Sequence, residues 1–367
     1  MRQKLRKGIC TLRNIFERQC ASFVDGLYFR ENTNIDQKKR KINFFVTVWG
    51  PHIDLFFMCC VPSLLQPGNA PVLAQKGYPM ELVIYTKSPE DFTKIESHTE
   101  KLNKIKKYMT VTLCEVKPNK ISDKNDILME AYVKHLDKCY EENAWLVHTP
   151  PDMIYGNHSL GNAMQLVEGK DICLAIPYPR VEMDLVVEDH KFNRFAAGED
   201  IFENDELVDF AFKYGHAVLL KAFDHEEENN TRQGLSIRAI GDNSYAVVMS
   251  MPGPVVASIK KEDVNFFKYC PSFNHIDKLW SRMLVRKNRI KTVGSSDFAF
   301  AVELTKLKKE VKLTKDSLFN DKYGQPSQRL ANHFVYNSFY CQWRGTNKDK
   351  LHTDACHDQH NEVSLNV

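Results

Sequence analysis

Residues 42–74 read INFFVTVWGPHIDLFFMCCVPSLLQPGNAPVLA. The apolar run 42–48 has the aromatic and β-branched make-up of a strand buried on both faces, and Trp49-Gly50-Pro51 must break it. An apolar helical pattern follows. A strand–turn–helix unit at the front of an α/β domain places Thr47, Trp49, Gly50 and His52 at the carboxyl end of the strand, where open parallel sheets lodge their ligands. A tryptophan there either stacks on a base or closes the core beside a tight turn. The chain has neither G-x-G-x-x-G nor G-x-x-x-x-G-K-[ST], so the dinucleotide fingerprint and the P-loop are both missing.

Beyond this unit strands and helices alternate. Strands are expected at 81–85, 109–116, 144–148 and 171–177, with helices at 89–107, 124–142 and 159–168 between them. Short apolar strands and helices polar on one side predict a mostly parallel sheet covered on both faces, wound from right-handed βαβ units. Past Arg180 the rhythm loosens into acidic loops, a helix at 203–214 and strands at 236–240, 245–251, 255–260 and 299–304. This half reads as α+β and completes the same domain. The expected divisions are a basic arm 1–41, an α/β domain 42–305 and an extension 306–367 ending in a polar tail.

The chain has 367 residues, is 43% hydrophobic and carries a formal charge of +3. That is enough to bury a full core and excludes a disordered protein. The first 41 residues hold eleven Lys/Arg against four acids, so the arm is at +7 and the rest at −4. Leu5, Ile9, Leu12, Ile15, Phe16, Cys20 and Phe23 recur at near-helical spacing among these cations, an amphipathic helix that either docks on its own domain or lies on an anionic membrane surface. No apolar run is long enough to span a bilayer, and the start lacks the pattern of a secretory signal. A cytoplasmic or peripheral membrane location is therefore expected. The ten cysteines form no C-x-x-C pair and read as reduced core residues. The sequons at Asn157 and Asn229 should accordingly stay unmodified.

Four other stretches could carry chemistry. Residues 148–160, HTPPDMIYGNHSL, follow a strand and open a helix, so Asp152 lies on a loop at the same sheet edge as Trp49. A carboxylate there can bind a divalent ion bridging two phosphates or a sugar hydroxyl, or it can simply cap a turn. Arg180, in Pro177-Tyr178-Pro179-Arg180, suits a pyrophosphate or a surface ion pair with Glu182 or Asp184. His275 and Asp277 could form an acid/base pair, with Asp297 at a later turn. His352, Asp354, Cys356, His357 and His360 have zinc-ligand chemistry, but nothing around them fixes a tetrahedron, and they read as a solvated tail.

The order Thr-x-Trp-Gly, Pro-Ser-Leu-Leu-x-Pro-Gly-Asn-x-Pro-x-Leu-Ala (62–74), Pro-Asp-x-x-Tyr with Ser-Leu (151–160), and Gly-Lys with an Arg-Val pair (169–181) resembles a family of glycosyltransferase-like proteins. These are similar to nucleotide-diphospho-sugar transferases of the A-type fold, and the resemblance covers about residues 42–304. It implies a Rossmann-like, mostly parallel sheet and transfer of a sugar from a nucleotide-sugar donor to an acceptor hydroxyl. Thr47, Trp49, Gly50, His52 and Asn157 would hold the nucleotide, and Asp152 the donor sugar or a Mn²⁺ or Mg²⁺ ion. Arg180 would bind the departing diphosphate, and Asp277 or His275 would act as base. Where the family tends to have Asp-Gly-Ser this chain has Asn157-His158-Ser159, and where it tends to have Asp-Ser-Asp it has Ser295-Ser296-Asp297. The missing carboxylates make a catalytically inactive binding or scaffold module the alternative. Nucleic-acid retention through the arm is a third option, with no sequence-specific nucleic-acid partner expected.

Overall fold

The computed structural model describes residues 39–117, 124–215, 219, 235–241, 244–250, 253–269, 276–306 and 338–346. The arm up to residue 38 and the histidine-rich tail lie outside them. The first unit is β1 (Ile42–Thr47), then α1 (His52–Leu55), a π-helical turn (Phe56–Cys60) and α2 (Val61–Leu65) running on without a break, then α3 (Ala70–Gln75). Pro62 explains the wide turn, since it lacks an N–H and its ring would crowd the carbonyl of Met58 in a regular helix. Side chains take up carbonyls of that turn: Lys101 Nζ donates to Phe57 O at 2.9 Å and Ser63 Oγ to Cys59 O at 2.7 Å.

Next come β2 (Met80–Thr86), α4 (Glu96–Ile105), β3 (Thr110–Glu115), α5 (Lys124–Glu141), β4 (Trp145–His148), β5 (Met153–Tyr155), α6 (Ser159–Val167), β6 (Cys173–Ala175), β7 (Arg180–Glu182), α7 (Met183–Val186), α8 (His190–Ala197) and α9 (Asn204–Lys213). The second half adds β8 (Leu235–Gly241), β9 (Ser244–Ser250), β10 (Val256–Ser258), α10 (Lys261–Tyr269), α11 (Ile276–Arg286), β11 (Ile290–Thr292), β12 (Ala301–Thr305) and β13 (Ser338–Arg344). The single helix expected over 89–107 is split: Pro89–Phe92 is a 3-10 turn, and α4 starts only at Glu96.

The central sheet has seven strands in the order β11-β6-β10-β4-β1-β2-β3, parallel except for β10, which runs against both of its neighbours. The chain is thus mixed α/β with a mostly parallel core sheet. The second half is woven into it, since β10 and β11 complete the sheet. Two smaller three-stranded sheets are β5-β12-β7 and β13-β9-β8. Residues 338–344, within the expected extension, form an integral strand of the latter.

Period-two alternation explains why β1 reads as apolar throughout. Phe44 and Val46 face a core shared with α1 to α4 and α6, whereas Phe45 faces one shared with α5, α10 and α11. Cys59, Cys60, Cys139, Cys173 and Cys341 are buried free thiols, and burial pushes the last three up to about 12. Among the described residues no helix is long and apolar enough to cross a membrane.

Residues 39–41, where the expected arm ends, are tied down. Arg40 stacks over Trp145 at 4.3 Å and donates to Asn143 O, Ala144 O and Ser258 Oγ, while Lys39 pairs with Glu168. Lys41 and Lys138 share Glu81 and Glu142 at 2.6–3.2 Å. Burial opposes ionisation of Glu142, but hydrogen bonds from Asn43, Lys41 and Lys138 outweigh it and hold the carboxyl at about 2. The folded state therefore binds protons later than the unfolded chain. The stabilisation is complete above the ordinary glutamate value of 4.5 and is lost as the pH falls toward about 2. Urea midpoints measured across that window should fall more steeply for wild type than for Glu142→Gln.

Candidate functional site

The strand order reverses between β1 and β4, since the chain winds outward from β1 through β2 to β3 and then returns to β1's other side. That makes the β1–β4 crevice a topological switch point, and the loops 47–52 and 148–152 leave it at the carboxyl edge. Thr149 closes its base, with its N–H and hydroxyl both donating to Phe45 O at 2.9 and 3.0 Å.

One face of this edge is aromatic and cationic. Phe45, Thr47 and Trp49 alternate onto the α5 face of the sheet, beside Val83, Tyr85 and Lys87 of β2 and its exit. Two residues past the Thr47–Tyr85 pair, Lys87 Nζ lies over the Trp49 ring, 4.9 Å from its centre. Trp49 is half-buried, Thr47 is partly exposed, and Gly50 and His52 are exposed. Gly50 has φ +58°, which glycine adopts without strain, and the space around it is open. His148, opposite Phe45 on β4, puts Nε2 2.8 Å from the Tyr132 hydroxyl of α5. Burial lowers its pKa to about 4, so the ring is neutral at pH 7.

The other side is formed by the β4–β5 turn. Asp152 is half-buried there, its carbonyl accepting Leu304 N at 2.9 Å, and its charge acts on Cys59, Cys60 and Tyr155. Trp49 and Asp152 thus border the same edge, the first packed on the α5 core and the second against the π turn. In β12, Glu303 pairs with Met153 on one side and Arg180 on the other, so Asp152 immediately precedes one flanking strand and Arg180 begins the other. Their backbones are about 10 Å apart, two strand spacings.

Arg180 is therefore a strand residue, not a free loop residue, and its Nε is 3.2 Å from Glu303. Asn157 is likewise not open to a ligand. It is buried, with Oδ1 accepting Gly68 N at 2.9 Å and Nδ2 donating to Glu203 at 2.8 Å. His275 lies outside the described residues, and of Asp277 only the backbone is described, in the first turn of α11. That helix leads into β11, three strands from β4, roughly 14 Å along the sheet. Asp297 pairs with Arg344 of β13 at 3.0 Å.

The motif Pro62-Ser63-Leu64-Leu65-Gln66-Pro67-Gly68-Asn69 forms a buried polar knot. Gln66 donates to Tyr155 O and accepts Phe202 N, while Asn69 donates to Ser63 O and accepts Leu160 N. Gly68 abuts His158, which has φ +68°, a left-handed conformation that glycine adopts without strain. The amides of Gln66 and Asn69 are thus spent on holding the scaffold together.

Among the described residues no three His, Cys, Asp or Glu side chains converge as a protein-caged metal would require. Asp152 alone suits a Mg²⁺ or Mn²⁺ ion that takes its remaining ligands from phosphates and water. Lys87 and the His148–Tyr132 pair were not assigned roles from sequence. Lys87 could have been found by extending the strand register past Tyr85, whereas Tyr132 carries no local signal.

No family model matches the chain, and no curated protein matches it. Among solved structures, the mannosyltransferase PcManGT from Pyrobaculum calidifontis, in complex with GDP-Man and Mn2+, aligns with 84% of this chain and 73% of its own at 12% identity and a TM-score of 0.36. So loose an overlap carries no weight for function.

Proposed function

We propose that the chain is a glycosyltransferase-like protein of the A-type architecture, moving a sugar from a nucleotide-sugar donor to an acceptor hydroxyl. The observation that carries this reading is the sheet reversal between β1 and β4, with an aromatic and a carboxylate on the two loops leaving it. Thr47, Trp49, Gly50 and His52 would receive the nucleotide, and Asp152 the donor sugar. A Mn²⁺ or Mg²⁺ ion shared between Asp152 and the donor would neutralise charge on the diphosphate. Arg180 would exchange Glu303 for the departing diphosphate, stabilising its developing charge. Asp277 or His275 would accept the acceptor's proton. The basic arm would bring the protein to an anionic membrane surface.

Nucleotide-sugar hydrolysis measured with and without Mn²⁺ tests this. Asp152→Ala should slow turnover by about 100- to 1,000-fold, and a rate equal to wild type would remove the carboxylate from the reaction. The inactive-module reading draws support from Asn157 and Asp297, both engaged within the protein. A rise in melting temperature with UDP- or GDP-sugars and no turnover would favour it.

A further inference from the structure

The pairing of Lys87 with Trp49 is more than surface decoration. Lys87 leaves the end of β2 and rests on the indole, while among the described residues it has no carboxylate partner. Glu115, at the end of the neighbouring β3, pairs instead with Lys117 at 3.4 Å. Arg180, in the β5-β12-β7 sheet, has Glu303, and Lys101 of α4 is held by two backbone carbonyls. Lys87 is thus a cation held beside a half-buried aromatic by a weak, non-directional contact, at the edge where the sheet presents its ligand crevice. A charge-assisted bond to phosphate is stronger than that contact and would displace it.

We propose that Lys87 and Trp49 form one recognition unit for a nucleoside diphosphate, with the ammonium taking the phosphates and the indole the base. This deepens the nucleotide-sugar reading and rests on it. Lysine suits the task as a compact charge on a flexible stem that can follow a phosphate. The unit selects a ligand that is both aromatic and anionic, and so prefers a nucleotide over a nucleoside or inorganic pyrophosphate.

The test titrates the full chain with UDP, GDP, uridine, guanosine and inorganic pyrophosphate, reading tryptophan fluorescence and melting temperature. Trp145, Trp280 and Trp343 are buried, so quenching by a bound base reports on Trp49. Wild type should bind at least one nucleoside diphosphate more tightly than its nucleoside. Lys87→Met should narrow that gap by roughly 10- to 100-fold, leave nucleoside binding unchanged and flatten the salt dependence, with Lys87→Arg restoring part of it. Trp49→Leu should weaken nucleotide and nucleoside alike. If Lys87→Met keeps the wild-type gap, the Lys87 assignment fails while the nucleotide site stands. If no nucleotide quenches or stabilises wild type, both fail.

Discussion

Asp263→Ala should destabilise the protein by roughly 3–5 kcal/mol. Asp263 is fully buried at the start of α10, accepting Trp280 Nε1 at 3.0 Å, Lys260 N at 2.8 Å and both terminal nitrogens of Arg289 at 2.9 and 3.3 Å. Arg289 in turn donates to Ser258 O and Glu262, so one knot joins β10, α10, α11 and β11. Removing the carboxylate leaves a buried guanidinium facing an indole N–H and a backbone N–H with no acceptor. The double change Asp263→Leu with Arg289→Met removes both charges and should recover part of the loss. Urea midpoints with unchanged slopes measure this, and losses that simply add would argue that the two side chains act independently.

The second large effect is expected at Gly161. A methyl group there would stand 2.3 Å from the carbonyl oxygen of Gly68 and 2.9 Å from Val72. Gly161→Ala must therefore push α6 off α3, at a cost on the order of 3 kcal/mol, and loosen the Asn69–Leu160 hydrogen bond behind the crevice. Because the nearer obstacle is backbone, adding Val72→Ala should relieve little of it. A Gly161→Ala melting temperature equal to wild type would show that the two elements do not approach this closely.

Much of the fold could be read from the chain because its signals are local. Ile42–Thr47 and Met80–Thr86 are β-rich and apolar on both faces, and Lys124–Glu141 is a long periodic helix. The direction of β10 could not be read, since Val256–Ser258 has the same composition whichever way it runs. Nor could β5 and β7, three-residue strands that exist only because β12, over a hundred residues later, lies between them. The placement of the candidate residues could be read only in part. Trp49 and Asp152 follow strands that local pattern reveals, so their shared edge could be expected. Asn157 has the chemistry of a ligand contact, but Gly68 and Glu203 occupy it, and only the tertiary fold shows that. The Arg180–Glu303 pairing was hidden for the same reason, being a matter of register between distant strands.

The nucleotide-sugar account is tested most directly by diffraction from crystals soaked with a nucleoside diphosphate and Mn²⁺. The expected density is a base against Trp49 and a diphosphate in the β1–β4 crevice within reach of Asp152. A nucleotide bound elsewhere, or an edge unchanged at saturating ligand, would contradict it.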